Sequence, residues 1–233
     1  MRGLPTWSKR RYAAVWRDRA GIVTPGEITY VALGDSAAQG IGATSPDLGY
    51  VGLLAAVAAR HTGLPVRVIN LSVSGATAAD VLAGQVPLLA DITSEIATGL
   101  AATVTTPDLV TCAVGGNDIR RFEPVAFAEA VGALIRSLPQ HALIADVPCF
   151  YDGRGEARST AASEIISRQA DVASLTLVRL HAATHARTRA QVRGDFALDF
   201  FHPNDRGYRV WAEAFDPAVL ARLDAVMAAR GSG

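Results

Sequence analysis

Five short apolar runs, at 28–33, 66–71, 109–114, 142–147 and 175–178, alternate along the chain with longer stretches that carry apolar residues at helical spacing. Runs this short and this apolar have no polar face to turn toward water, so they read as strands buried on both faces, the pattern of a parallel sheet covered by helices. The helical stretches fall at 47–60, 78–98, 124–137 and 157–173. A last one at 205–229 is expected to be interrupted near Asp216-Pro217, because proline disfavours helix in the residue before it. Regular alternation of strand and helix predicts an α/β fold.

With 233 residues, 50% of them hydrophobic, the chain has material for one well-filled core. The expected organisation is an N-terminal extension over 1–27 followed by a single domain over 28–233. Lys+Arg and Asp+Glu number 22 each, so no field of one sign draws the chain to nucleic acid or an anionic membrane. The short basic run Lys9-Arg10-Arg11 is expected to be a solvated arm. Neither a signal-peptide pattern nor a membrane-spanning apolar stretch is visible, since the richest segment, 51–59, ends at Arg60 and His61. A cytoplasmic protein without membrane insertion is the expectation. Cys112 and Cys149 lack metal-site or redox spacing and are expected to be buried free thiols.

In a parallel sheet, ligands gather at the loops following the carboxyl ends of the strands. Those loops hold the polar and glycine-rich segments of this chain: Gly34-Asp35-Ser36, then Ser72 to Ala76, then Gly115-Gly116-Asn117-Asp118, then 148–155. A serine hydroxyl becomes nucleophilic only beside a base, and the oxyanion it generates needs preset donors. Ser36, presented on a glycine turn, is the candidate nucleophile. Near the far end Asp199 stands three residues before His202-Pro203, so its carboxylate can fix the imidazole tautomer and leave the other ring nitrogen to take the serine proton. The Asn117 side chain and the backbone N–H groups of Gly75 and Ser36 are the candidate oxyanion donors. Asp35, adjacent to the nucleophile, reads as structural, capping the turn or bonding a neighbouring loop. His61, His141, His181 and His185 have no such setting.

With these residues in place, the chain resembles the SGNH (GDSL-type) hydrolases, whose four sequence blocks supply a Ser, a Gly, an Asn and a His. The first block is similar to Gly34-Asp35-Ser36 continuing through Gly40 and Gly42, the second to the segment ending at Gly75, the third to Gly115-Gly116-Asn117-Asp118, and the last to Asp199-x-x-His202-Pro203. Any one tripeptide arises by chance about once in a few thousand positions, whereas four blocks in order do not. Ala37 follows Ser36 where the name-giving pattern has Leu. The resemblance implies a flavodoxin-like three-layer α/β/α sandwich with a five-stranded parallel sheet. It also implies hydrolysis of acyl esters, short ones being the expectation, on a small-molecule substrate with no cofactor and no metal. Acyl transfer from the same acyl-enzyme is the nearest alternative. A non-catalytic ligand-binding domain of this fold is another, but the first loop has neither the dinucleotide fingerprint nor a phosphate-loop lysine. Phe122, Phe150 and Tyr151 are candidate pocket walls, and Arg120, Arg121 and Arg154 candidate anion contacts.

Overall fold

Strand β1 (Ile28–Gly34) is buried along its whole length, so its side chains must satisfy an apolar layer on each face. They do so with a period of two: Ile28, Tyr30 and Ala32 enter one core, Val31 and Leu33 the other. The computed structural model describes residues 6–97, 106–151 and 153–232. Helix α1 (Thr6–Ala20) precedes β1. After it come α2 (Tyr50–Thr62), β2 (Val66–Asn70), α3 (Ala78–Gly84), α4 (Val86–Ala97), β3 (Leu109–Ala113), α5 (Pro124–Ser137), β4 (Leu143–Ala145), α6 (Gly153–Ala173), β5 (Thr176–Val178), α7 (Leu180–His185), α8 (Arg189–Arg193) and α9 (Asp205–Gly231). Each of the five expected runs contains one strand.

The strands form one all-parallel sheet in the order β2-β1-β3-β4-β5. Residues of α2 and α9 fill the core on one face, and residues of α5 and α6 the core on the other, giving the three-layer α/β/α arrangement. Because the chain builds outward from β1 in both directions, the connections leaving β1 and β3 diverge and leave a crevice at their carboxyl ends. Gly34 and Ala113 are in register at that edge, which brings the Ser36 loop beside the Asn117 loop.

The short helices α7 and α8 were not expected, and three further elements depart from expectation. The break near Asp216-Pro217 is absent: α9 runs through Pro217. Its buried stripe of Tyr208, Trp211, Phe215, Val219, Leu223 and Val226 holds it to the sheet on both sides of the proline. Pro217 and Glu213 both lie on the exposed face, where water can satisfy the carbonyl that loses its helical partner. The single helix expected over 78–98 is two, divided at Gln85, whose side chain turns inward, while Thr98 lies outside the described residues. The stretch expected as a solvated arm is helical. Arg10 and Arg11 are exposed, but Trp16 on α1 is 2% exposed and joins the core, donating Nε1–H to the Gln39 carbonyl at 3.1 Å. Tyr12 donates to the Ala43 carbonyl at 2.8 Å, and Arg19 pairs with Asp47 at 2.6 Å. Among the described residues no helix is long and apolar enough to cross a membrane.

Docking through a buried tryptophan predicts that Trp16→Ala lowers the free energy of unfolding by about 3–5 kcal/mol in denaturant titration. A loss below about 1 kcal/mol would show that α1 contributes nothing to the core.

Candidate active site

The turn that carries Ser36 is set by Gly34. Its φ of +143° suits glycine, and a Cβ there would lie 2.3 Å from the Ala113 carbonyl oxygen, so the β1–β3 approach has no room for a side chain. Gln85 clamps the same residue, accepting from Gly34 N–H at 2.9 Å and donating to Gly34 C=O at 2.8 Å. Asp35 Oδ1 then accepts from Ala37 N–H at 2.8 Å, which curls the chain and leaves Ser36, 4% exposed, at the crevice.

His202 arrives from the other end of the chain. Asp199 Oδ1 accepts from the backbone N–H of Phe201 (3.1 Å) and His202 (3.0 Å), folding the loop so that Oδ2 lies 2.6 Å from His202 Nδ1. The ring nitrogen facing a carboxylate carries the proton, so Nε2 is an acceptor, and Ser36 Oγ donates to it at 2.8 Å. Burial pushes the Asp199 carboxyl up, but the imidazole N–H and the two backbone N–H groups outweigh it and leave the pKa below the ordinary value. The carboxylate therefore stays ionised at neutral pH. The Phe201 ring stands edge-on to the imidazole, centroids 4.9 Å apart.

Several contacts staple the two distant loops together. A Cβ at Gly42 would lie 2.2 Å from the Pro203 carbonyl oxygen and 2.8 Å from His202 Cβ, so glycine there is what lets the histidine loop close on the serine loop. Tyr208 donates to the Ile41 carbonyl at 2.6 Å, and Asp205 accepts from Thr44 N–H at 2.7 Å and Oγ1–H at 2.8 Å. Asn204 caps α9 by accepting from Arg206 N–H (2.9 Å) and Gly207 N–H (3.1 Å), while its amide donates to the Gly194 and Phe196 carbonyls.

Neither Ser36 N–H nor Gly75 N–H has an acceptor among the described residues. The Asn117 amide is not open in the same way: Nδ2 donates to Asp35 Oδ2 and to the Ala76 carbonyl, each at 3.0 Å. Asp35 thus both caps the serine turn and bonds the neighbouring loop. Burial raises its pKa to about 6, against the pull of Ala37 N–H, and the nearby Asp118 charge adds to the rise. Burial likewise raises Asp118 to about 6, and that side chain accepts from Ala78 N–H at 3.2 Å at the start of α3.

The other residues singled out in the sequence are spread over the molecule. His61 pairs with exposed Asp224 and His181 with Glu156. Cys112 and Cys149 are free and buried, each thiol pushed up to about 12 by burial. Phe150 lines the cleft at Ser36 and Tyr151 an adjoining cavity, whereas Phe122 packs on Phe127. Arg120, Arg121 and Arg154 are exposed. Among the described residues no cluster of His, Cys, Asp and Glu is arranged to hold a metal ion. Sequence reasoning missed Gln85, Asn204 and Tyr208; only Asn204, a favoured capping residue directly before a helical pattern, carried a sequence signal.

The model of the GDSL-like lipase/acylhydrolase family matches residues 32–210, from the end of β1 to the start of α9. The chain belongs to this family. It is accordingly a carboxylic ester hydrolase. Among curated proteins none matches. The solved α/β hydrolase LAE5, from the metagenome of Lake Arreo, Spain, is 24% identical with a TM-score of 0.60, over 84% of this hydrolase and 96% of LAE5. TesA is 24% identical with a TM-score of 0.63, over 83% and 99% of the two chains. Axe2, an acetylxylan esterase from Geobacillus stearothermophilus, is 20% identical with a TM-score of 0.58, over 83% and 94%. These likenesses are likenesses of fold.

A raised carboxyl pKa means that the folded hydrolase binds the Asp35 proton more tightly than the unfolded chain does. Its contribution to stability is therefore present below pH 4 and lost as the pH rises through about 6. The stability difference between wild type and Asp35→Asn should fall by up to about 3 kcal/mol from pH 4 to pH 6 and then level off. A difference that stays flat over this range would contradict the burial assigned to Asp35.

Proposed function

We propose that this hydrolase cleaves acyl esters as a serine esterase, through an acyl-enzyme formed on Ser36. The observation that supports this most directly is the continuous hydrogen-bonded chain from Asp199 through His202 to Ser36, at 2.6 and 2.8 Å. Ser36 Oγ attacks the ester carbonyl as its proton passes to His202 Nε2, and Asp199 stabilises the imidazolium that forms. The oxyanion is held by the backbone N–H groups of Ser36 and Gly75 and by the Asn117 amide. For Asn117 to donate, its bond to the Ala76 carbonyl is exchanged for the oxyanion. The Asp35 bond meanwhile fixes the plane of the amide.

Collapse of the intermediate expels the alcohol, which takes the proton from His202. Water then attacks the acyl carbon as it loses a proton to His202, and collapse of that intermediate releases the acid as His202 returns the proton to Ser36 Oγ. A short acyl group needs no more than the cleft beside Ser36, walled by Val114, Pro148, Phe150 and Leu180. The domain that performs this chemistry is taken as residues 28–233, with 1–27 an extension resting on it through α1.

Hydrolysis of p-nitrophenyl acetate and butyrate in the presence of EDTA tests the proposal. Ser36→Ala should reduce kcat/KM by about 10⁴-fold or more, and Asn117→Ala should reduce kcat by about 10²–10³-fold, with circular dichroism unchanged in both. A folded Ser36→Ala variant as active as wild type would remove Ser36 from the mechanism, and full activity in Asn117→Ala would remove the third oxyanion donor.

A further inference from the structure

Of the residues proposed to hold the oxyanion, Ser36 is buried and Asn117 half-buried, but Gly75 is exposed. Its φ is +90°, and a Cβ there would meet no atom within 4 Å, so no packing fixes the direction of its N–H. A peptide in open space keeps its direction only through hydrogen bonds made beside it. Two of those bonds converge on one side chain of the serine loop. Gln39, 6% exposed, donates from Nε2 to the Ser72 carbonyl at 2.9 Å, and its Oε1 accepts from Ser74 Oγ at 2.6 Å.

We propose that Gln39 is the positioning residue for the Gly75 donor, and that helix α1 belongs to the same device because it holds Gln39 in place. The inference rests on the serine-esterase mechanism above and gives its oxyanion site a support from outside the matched family region, which begins at residue 32.

Gln39 and the nucleophile share one turn: Gln39 N–H donates to the Asp35 carbonyl at 3.3 Å and Ile41 N–H to the Ser36 carbonyl at 3.0 Å. The Gln39 side chain therefore ties the Gly75 loop to the same turn that presents Ser36. An amide suits this task, since it donates to a carbonyl and accepts from a hydroxyl at once, whereas a carboxylate only accepts. Asn70 Nδ2–H to the Ala38 carbonyl (2.7 Å) and Val73 N–H to the Gly34 carbonyl (3.2 Å) also join the two loops, but neither reaches Ser74. On the other side of Gly75 the Ala76 carbonyl is held by Asn117 at 3.0 Å. In the proposed mechanism that bond is exchanged for the oxyanion, so the Gly75 loop loses a tie at the moment its N–H is needed, and the Gln39 bonds remain. Helix α1 reaches the serine loop at two points: Trp16 Nε1–H donates to the Gln39 carbonyl at 3.1 Å and the Tyr12 hydroxyl to the Ala43 carbonyl at 2.8 Å. Trp16 is 2% exposed, so removing its N–H leaves the Gln39 carbonyl without that donor in a buried setting.

The test uses the full chain with p-nitrophenyl butyrate and with a trifluoromethyl ketone, whose adduct with Ser36 places an oxyanion on the same donors. Gln39→Met, similar in length but unable to make either bond, should lower kcat at least about tenfold with KM within about twofold of wild type, a part of the 10²–10³-fold an oxyanion donor contributes. Its inhibition constant for the ketone should rise by the same factor. A misfolded fraction lowers kcat but leaves that constant unchanged, because only folded enzyme is read. Ser74→Ala should shift both constants the same way by about threefold or more, and Ser74→Thr, which keeps the hydroxyl, should restore them. Trp16→Phe, which keeps a buried ring but loses the N–H, should also raise the inhibition constant about threefold. A Gln39→Met constant within about twofold of wild type overturns the proposal, as does an unshifted Ser74→Ala if Gln39→Met does not fold. An unshifted Trp16→Phe overturns the part given to α1. If Ser36→Ala abolishes hydrolysis while Gln39→Met matches wild type, the serine mechanism stands and only this positioning falls. A wild type that cleaves no ester overturns both.

Discussion

The hydrogen bond from Ser36 to His202 joins residues 166 positions apart, and much of the fold is arranged around keeping it at 2.8 Å. A proton transfer that begins with a bond of this length tolerates little displacement, so both partners have to be fixed by structure that does not flex. The serine turn is fixed from below by the central strand, by the close β1–β3 approach at Gly34 and by the Gln85 clamp. The histidine loop is fixed from above by α9, whose cap at Asn204 and whose Tyr208 reach back to both loops. Gly42 is the meeting point, where the two backbones come closer than any side chain allows. Buried hydrogen bonds of this kind are worth about 1 kcal/mol each, but their larger effect here is to leave the two loops one relative position.

Environment also separates the carboxylates. Asp199 receives an imidazole N–H and two backbone N–H groups, which keep it ionised despite its burial, the state an imidazolium needs beside it. Asp35, beside Ser36 in the chain, receives one backbone and one side-chain donor and lies deeper, so burial prevails and its pKa rises to about 6. In the proposed mechanism the first serves the proton transfer directly. The second ties the serine turn to the Asn117 loop, so the proposed nucleophile and the proposed oxyanion donor share one support.

What was legible in the sequence is what local periodicity and short-range chemistry determine. The five strands are visible as apolar runs because a parallel sheet covered on both faces demands them, although only β1, β3 and β4 are buried throughout and the edge strands β2 and β5 are buried in part, and the Asp199–His202 pair is visible because it closes within one turn of chain. The course of α9 past Pro217 was not legible: the local penalty is real, but a buried stripe extending on both sides of the proline overrides it. Gln85 looked like any polar helical residue, since its inward turn depends on Gly34, 51 positions away. The double engagement of Asn117 and the docking of Trp16 depend on similar long-range partners. The cavity adjoining the Ser36 cleft is built largely from loop residues near 150 and 200, where no period exists to announce which side chains face each other.

The central claim is that His202 makes Ser36 the nucleophile of this hydrolase, and covalent labelling tests it most directly. Diisopropyl fluorophosphate should phosphorylate one residue, located by peptide mass spectrometry at Ser36, and His202→Gln should slow that labelling by several orders of magnitude without unfolding the chain. A wild-type enzyme that hydrolyses esters yet takes no label at Ser36, or that is labelled equally fast with and without His202, would contradict the account.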